Sequence, residues 1–227
     1  MPHANTSISA VIFDMDGLLL DSETLAMEAL VEAGRKLGYD MPDDFCRRMI
    51  GAPADQCRKM VTETYGSEFP LQKFFETQEI VLRDMVDNGR LVTKKGVNTL
   101  LDLLDEYRIP RAIATSSSRY RTDHHLKLAG IFDRFQSVIT RDDVSKGKPN
   151  AEPYLTAASA LGVSPENCLA LEDSYNGIRA AHAAHIRVIM VPDMLPPTEE
   201  MKNTAFRIEN SLEDVAEYLA PILKSQQ

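Results

Sequence analysis

Two aspartates close an apolar run in Ala10-Val11-Ile12-Phe13-Asp14-Met15-Asp16-Gly17. The run reads as a short strand buried on both faces, and the C-terminal end of such a strand is where α/β proteins build their sites. Asp14 and Asp16 repel each other, so a fold that keeps both calls for a cation or a shared proton. Gly17 lets the chain turn where a Cβ would be in the way. Further along, Thr115-Ser116-Ser117-Ser118 follows an apolar stretch, Glu172-Asp173 follows another, and Ser145-Lys146-Gly147-Lys148-Pro149 precedes a helical pattern. Brought to one edge of a sheet, these groups have a definite chemical sense. Carboxylates clustered without cysteine or histidine suit a hard cation such as Mg²⁺. A hydroxyl and free N–H groups at a helix start suit phosphate oxygens, and a lysine adds positive charge for a phosphoryl group. One acid can attack while a second moves the leaving-group proton.

The pattern along the chain predicts the elements that would position these groups. A helical zone follows Gly17, with cap chemistry at Asp21, Ser22 and Glu23 and apolar residues Leu25, Ala29, Leu30 and Ala33 at helical spacing. Residues 47–50, 54–65 and 71–88 read as further helices, with Gly51-Ala52-Pro53 between the first two. From Lys95 onward strands and helices alternate. Strands are predicted over 110–114, 136–139, 168–171 and 188–191, and helices over 97–107, 120–129, 151–161, 176–184 and 212–223. Alternation of this kind implies an α/β fold, a parallel sheet with helices on both faces and all strand ends on one edge. The expected division is a Rossmann-like core from residues 1–20 and 91–227, with an inserted α-helical cap from 21–90.

Composition narrows the function classes. Hydrophobic residues make up 44% and charged residues 26% of the 227, as in an ordinary soluble globular protein. A net charge of −9 argues against nucleic acid and against an anionic membrane surface as partners. The three cysteines form no C-x-x-C pair, no stretch reaches the length of a membrane span, and residues 1–9 lack a signal-type apolar core. A cytoplasmic setting and a small-molecule substrate are expected. The oligomeric state is left open, with a monomer admissible.

Four short motifs in order tie the chain to a known family. Asp14-Met15-Asp16-Gly17, Ala114-Thr115-Ser116, Lys148-Pro149 and Glu172-Asp173-Ser174 resemble the signature of the haloacid dehalogenase (HAD) superfamily. The resemblance covers residues 8–219 and is to the subgroup with a helical cap after the first strand, which includes β-phosphoglucomutase, phosphoglycolate phosphatase and pseudouridine-5′-phosphatase. It implies a Mg²⁺-dependent phosphatase acting on a small phosphorylated metabolite through an aspartyl phosphate. Asp14 would be the nucleophile and Asp16 the acid and base. Thr115 and the Ser116 N–H would hold phosphoryl oxygens, and Lys148 would pair with Asp14 and the phosphate. Asp14, the Asp16 carbonyl, Asp173 and Glu172 would hold the metal, Glu172 directly or through water.

The acid at Asp16 separates this chain from dehalogenase-type relatives. The mutase alternative is weakened at two places. Its cap histidine, twelve residues after the nucleophile, is replaced by Ala26, and its basic cap segment corresponds to Gly51-Ala52-Pro53-Ala54. Receiver domains also gather acids, a hydroxyl and a lysine around Mg²⁺, but they are about half this length and carry their acids on different strands. Substrate choice is expected to rest with the cap around Arg47 to Arg58 and with the tether near Lys94-Lys95.

Overall fold

The first strand, β1 (Ala10–Phe13), is buried at every position, as its unbroken apolar sequence requires of a strand covered on both faces. In this computed structural model, residues 7–49 and 54–226 are described. Four helices follow β1: α1 (Ser22–Lys36), α2 (Asp43–Arg47), α3 (Ala54–Tyr65) and α4 (Leu71–Asp87). The rest of the chain runs α5 (Val97–Glu106), β2 (Arg111–Ala114), α6 (Arg119–Leu128), β3 (Ser137–Ile139), α7 (Glu152–Leu161), β4 (Cys168–Glu172), α8 (Tyr175–Ala183), β5 (Arg187–Met190), α9 (Glu199–Thr204), β6 (Arg207–Ile208) and α10 (Leu212–Lys224).

The six strands form one parallel sheet in the order β3-β2-β1-β4-β5-β6. This is the doubly wound order, in which the chain reverses direction across the sheet between β1 and β4. Register does the positioning. Phe13 lies beside Ile113 on one side and Leu171 on the other. Asp14 therefore leaves β1 level with the ends of β2 and β4, its N–H donating to the Leu171 carbonyl at 3.0 Å. Thr115 leaves β2 in the same way, its N–H donating to the Ile139 carbonyl at 2.9 Å. Ile12, Ala112 and Ala170 of the sheet share an apolar core with Tyr154 and Ala158 of α7 and Ile178 of α8.

The chain divides into two compact units, Met1–Leu20 with Thr93–Gln227, and Asp21–Val92. In the first, Leu20 bridges Thr93 in antiparallel sense and the Lys94 N–H donates to the Leu19 carbonyl at 2.9 Å, which carries the boundary past Arg90 to Val92. The second is all helical. Its core joins Leu30 and Ala33 of α1 to Phe45, Cys46, Val61, Phe69 and Phe74. Phe69 meets Tyr39, Tyr65 and Phe74, edge-on to Tyr39 and Phe74 and tilted against Tyr65.

The structure departs from the sequence reading at three places. The helix expected over 47–50 begins earlier, at Asp43 after Pro42, where two aspartates in the first turn complement the helix dipole, and it ends at Arg47. Ile50 and Gly51-Ala52-Pro53 lie outside the described residues. Helix α9 and strand β6 were not expected. A two-residue edge strand shows no alternation to read; it is defined by its parallel pairing with β5, Arg207 beside Ile189 and Ile208 beside Met190, flanked by the bonds Phe206 N–H to Val188 O and Glu209 N–H to Met190 O at 2.8 and 2.9 Å. Among the described residues no helix is long and apolar enough to cross a membrane.

Candidate active site

Four loops meet at the carboxyl edge of the sheet around the β1–β4 reversal. Asp14 is buried, and its Oδ1 lies 2.5 Å from the Lys148 ammonium. The same ammonium lies 2.5 Å from Oε1 of Glu172, which is wholly buried at the end of β4. Lys148 reaches in from the loop before α7. There Glu152 accepts the Ser145 and Lys146 N–H groups at 2.7 and 2.9 Å and holds the loop against the helix start. Lys146 itself is exposed, so Lys148 alone of the two lysines joins the carboxylates.

Asp173, also buried, is the third acid. One oxygen from each of Asp14, Glu172 and Asp173 lies within 4.8 Å of the others. Gly17 has φ +80°, and a Cβ there would collide with the Asp173 carboxylate, so this turn requires glycine on both counts. Asp193, after β5, stands nearby with its Oδ1 2.5 Å from the Lys94 ammonium. Lys94, expected near the substrate, is thus paired within the sheet-bearing unit.

Thr115 is buried, and its hydroxyl accepts the Ser117 N–H at 3.1 Å. Ser116 is exposed at the crest of this loop. Ser118 then caps α6 by accepting the Arg121 N–H. Asp16 is turned toward this segment. Its Oδ2 accepts the Ser117 hydroxyl at 2.7 Å, and its Oδ1 lies 3.3 Å from the Arg121 guanidinium. With both carboxylate oxygens directed there, any contribution of Asp16 to a metal falls to its main-chain carbonyl.

The electrostatics follow from burial. Desolvation pushes the Asp14 carboxyl well above the ordinary carboxylate range; Lys148 opposes that and the Glu172 charge adds to it. For Lys148 burial works downward, but the charges of Asp14 and Glu172 outweigh it and hold the ammonium protonated. Three buried acids against one lysine leave negative charge uncompensated in a low-dielectric setting. An all-oxygen donor set with surplus negative charge fits a hard divalent cation.

Sequence reasoning missed Tyr154 and Arg121, and it named Ser117 and Ser174 within their motifs without giving either a role of its own. Tyr154 carried a signal, because a phenol on the apolar face of a helix needs a hydrogen-bond partner inside. Arg121 carried none, since an arginine in the first turn of a polar helix reads as solvated.

The chain matches the profile described as haloacid dehalogenase-like hydrolase over residues 11–191. It belongs to that family. Hexitol phosphatase B of Escherichia coli is 33% identical over 196 residues, 82% of this chain and 84% of that protein. A phosphorylated carbohydrates phosphatase of Thermotoga maritima is 31% identical over 186 residues, 80% of this chain and 84% of that one. The fold is shared with a HAD family hydrolase of Deinococcus radiodurans solved with bound phosphate and sodium. That match has a TM-score of 0.82 at 24% identity and covers 96% of this chain and 97% of the other. The chain is thus a HAD-type hydrolase, and its named relatives are phosphatases.

Proposed function

We propose that this HAD hydrolase is a Mg²⁺-dependent phosphatase of small phosphorylated metabolites, sugar phosphates or nucleoside monophosphates, working through an aspartyl phosphate on Asp14. The observation that carries this reading is the buried Asp14–Lys148–Glu172 group with Asp173 beside it, at the reversal point of a parallel sheet. An Asp14 oxygen attacks phosphorus and the ester P–O bond breaks. Asp16 gives its proton to the departing alcohol oxygen. Asp16 then takes a proton from water, the water oxygen attacks phosphorus, and the Asp14–phosphorus bond breaks to release inorganic phosphate. Thr115 and the Ser116 N–H hold phosphoryl oxygens, and Lys148 offsets their charge. Asp14, Asp173 and the Asp16 carbonyl are the residues that would hold Mg²⁺, with Glu172, whose two oxygens already accept from Lys148, Tyr154 and Ser174, acting through water; the ion would supply positive charge against the attacking carboxylate and the phosphoryl oxygens. The sheet-edge residues handle a phosphoryl group common to every ester, so selection of the alcohol falls to the helical unit as a cap.

A panel of phosphorylated metabolites with MgCl₂ tests the reading, together with acid-quench trapping of label from a ³²P ester. Turnover of at least one sugar phosphate or nucleotide is expected, with label on Asp14 and none on Asp14→Asn. Turnover persisting in Asp14→Asn would remove the nucleophile assignment.

A further inference from the structure

Tyr154 is wholly buried in α7, on the face that packs against the sheet. Its hydroxyl donates to Glu172 Oε1 at 2.7 Å, the same oxygen that receives the Lys148 ammonium at 2.5 Å. Its ring also lies beneath that ammonium, 5.2 Å from Nζ to the ring centroid. The other Glu172 oxygen accepts the Ser174 N–H at 3.2 Å and the Ser174 hydroxyl at 3.0 Å. Gly177 closes the remaining side, where a Cβ would fall inside the Glu172 carboxylate. Both Glu172 oxygens are therefore held, and among the described residues Tyr154 is the one neutral donor sharing an oxygen with Lys148.

We propose that Tyr154 is a positioning residue for the phosphoryl transfer assigned above, acting through Glu172 to aim the Lys148 ammonium at Asp14. This rests on the phosphatase reading. A lysine on a flexible stem between two carboxylates can lean toward either. The tyrosine hydroxyl fixes where the Glu172 oxygen sits and takes up part of its accepting capacity, so the ammonium stays shared with Asp14. Without that hydroxyl, Glu172 Oε1 has only Lys148 to bind and draws the ammonium away from the nucleophile. The loss bears on the transition state, where the ammonium must meet both the attacking oxygen and the phosphoryl group.

Tyr154→Phe keeps the ring and removes only the donor. In the full-length chain with MgCl₂, kcat on p-nitrophenyl phosphate is expected to fall about tenfold, the scale of one hydrogen bond to a charged group. The inhibition constant of orthovanadate, a mimic of the transferring group, should rise by a similar factor while KM moves less than about twofold. A role in packing alone would lower the melting temperature and the folded fraction but leave kcat per folded molecule and the vanadate constant unmoved, and that result overturns the proposal. Should Tyr154→Phe fail to fold, 3,5-difluorotyrosine at position 154 keeps the shape and changes the donor strength. A shift in kcat at constant KM is then expected, and identical constants overturn the proposal. A wild-type chain that turns over no ester removes the phosphatase reading along with this one. An active wild type beside an equally active Tyr154→Phe removes this one alone.

Discussion

Lys148 and Asp14 form a buried ion pair across the sheet edge, 2.5 Å apart with side chains only 4% and 9% exposed. Their loops are separated by more than half the chain, and the charge of each is tolerated at that depth through the other. Removing one partner of such a pair costs far more than the pair contributes, because a buried charge is left behind.

Lys148→Met should therefore cost stability as well as activity. About 3–5 kcal/mol is the usual scale for stranding buried charge, and here Asp14 and Glu172 are stranded together. Added MgCl₂ should restore part of the melting temperature, since a cation answers the same surplus. Chemical denaturation of both proteins with and without MgCl₂ reads this. An unaltered midpoint in the variant would show that the pair is not buried as described.

Cation affinity should depend on pH with a definite sign. Burial raises the Asp14 pKa, so protons compete with the cation at a higher pH than at an ordinary carboxylate. Mg²⁺ affinity should weaken as pH falls, and the weakening should begin above the usual carboxylate range near ~4 because burial raises the Asp14 pKa. The metal-free protein should behave in the opposite sense. A carboxyl whose pKa folding raises contributes stability below its unfolded pKa, and that contribution is lost as pH rises through the folded value. Calorimetric Mg²⁺ titrations at several pH values, beside melting curves without metal, check both signs. A dissociation constant indifferent to pH would contradict the account of Asp14.

Asp16→Ala should slow poor leaving groups more than good ones. A sugar alkoxide needs the proton that Asp16 supplies, whereas p-nitrophenolate departs without it. The ratio of kcat values for the two esters, wild type against variant, is the measurement. Equal losses would reduce Asp16 to a partner of Ser117 and Arg121.

Gly177→Ala should be severe although the substitution adds one methyl group. The new Cβ has no room unless Glu172 moves, and Glu172 cannot move without leaving Lys148, Tyr154 or Ser174. A loss of about 1–3 kcal/mol from overpacking is expected, with activity falling further because the Lys148 ammonium is displaced. A variant as stable and as active as wild type would mean that the carboxylate is not confined.

By itself the sequence was enough to bring Asp14, Thr115, Glu172 and Asp173 to one edge, because apolar runs that end abruptly in polar groups mark the strand ends of a parallel sheet; Lys148, in a loop before a helix, was singled out from Lys146 only by the resemblance of its Lys-Pro pair to the family motif. Right-handed crossovers then leave the strand ends on a common side. The helical insert was legible for a similar reason: amphipathic spacing persists from α1 to α4 with no strand pattern between. What only the tertiary structure decided is which groups meet within that edge. The start of α2 depended on a proline and paired aspartates rather than on periodicity, and β6 exists only through its neighbour's hydrogen bonds. Arg121 beside Asp16, and Tyr154 sharing an oxygen of Glu172 with Lys148, arise from side chains on different elements converging at hydrogen-bond range. Spacing along a chain encodes the face a residue occupies, but a contact between faces is set by how the elements pack, and no local pattern carries it.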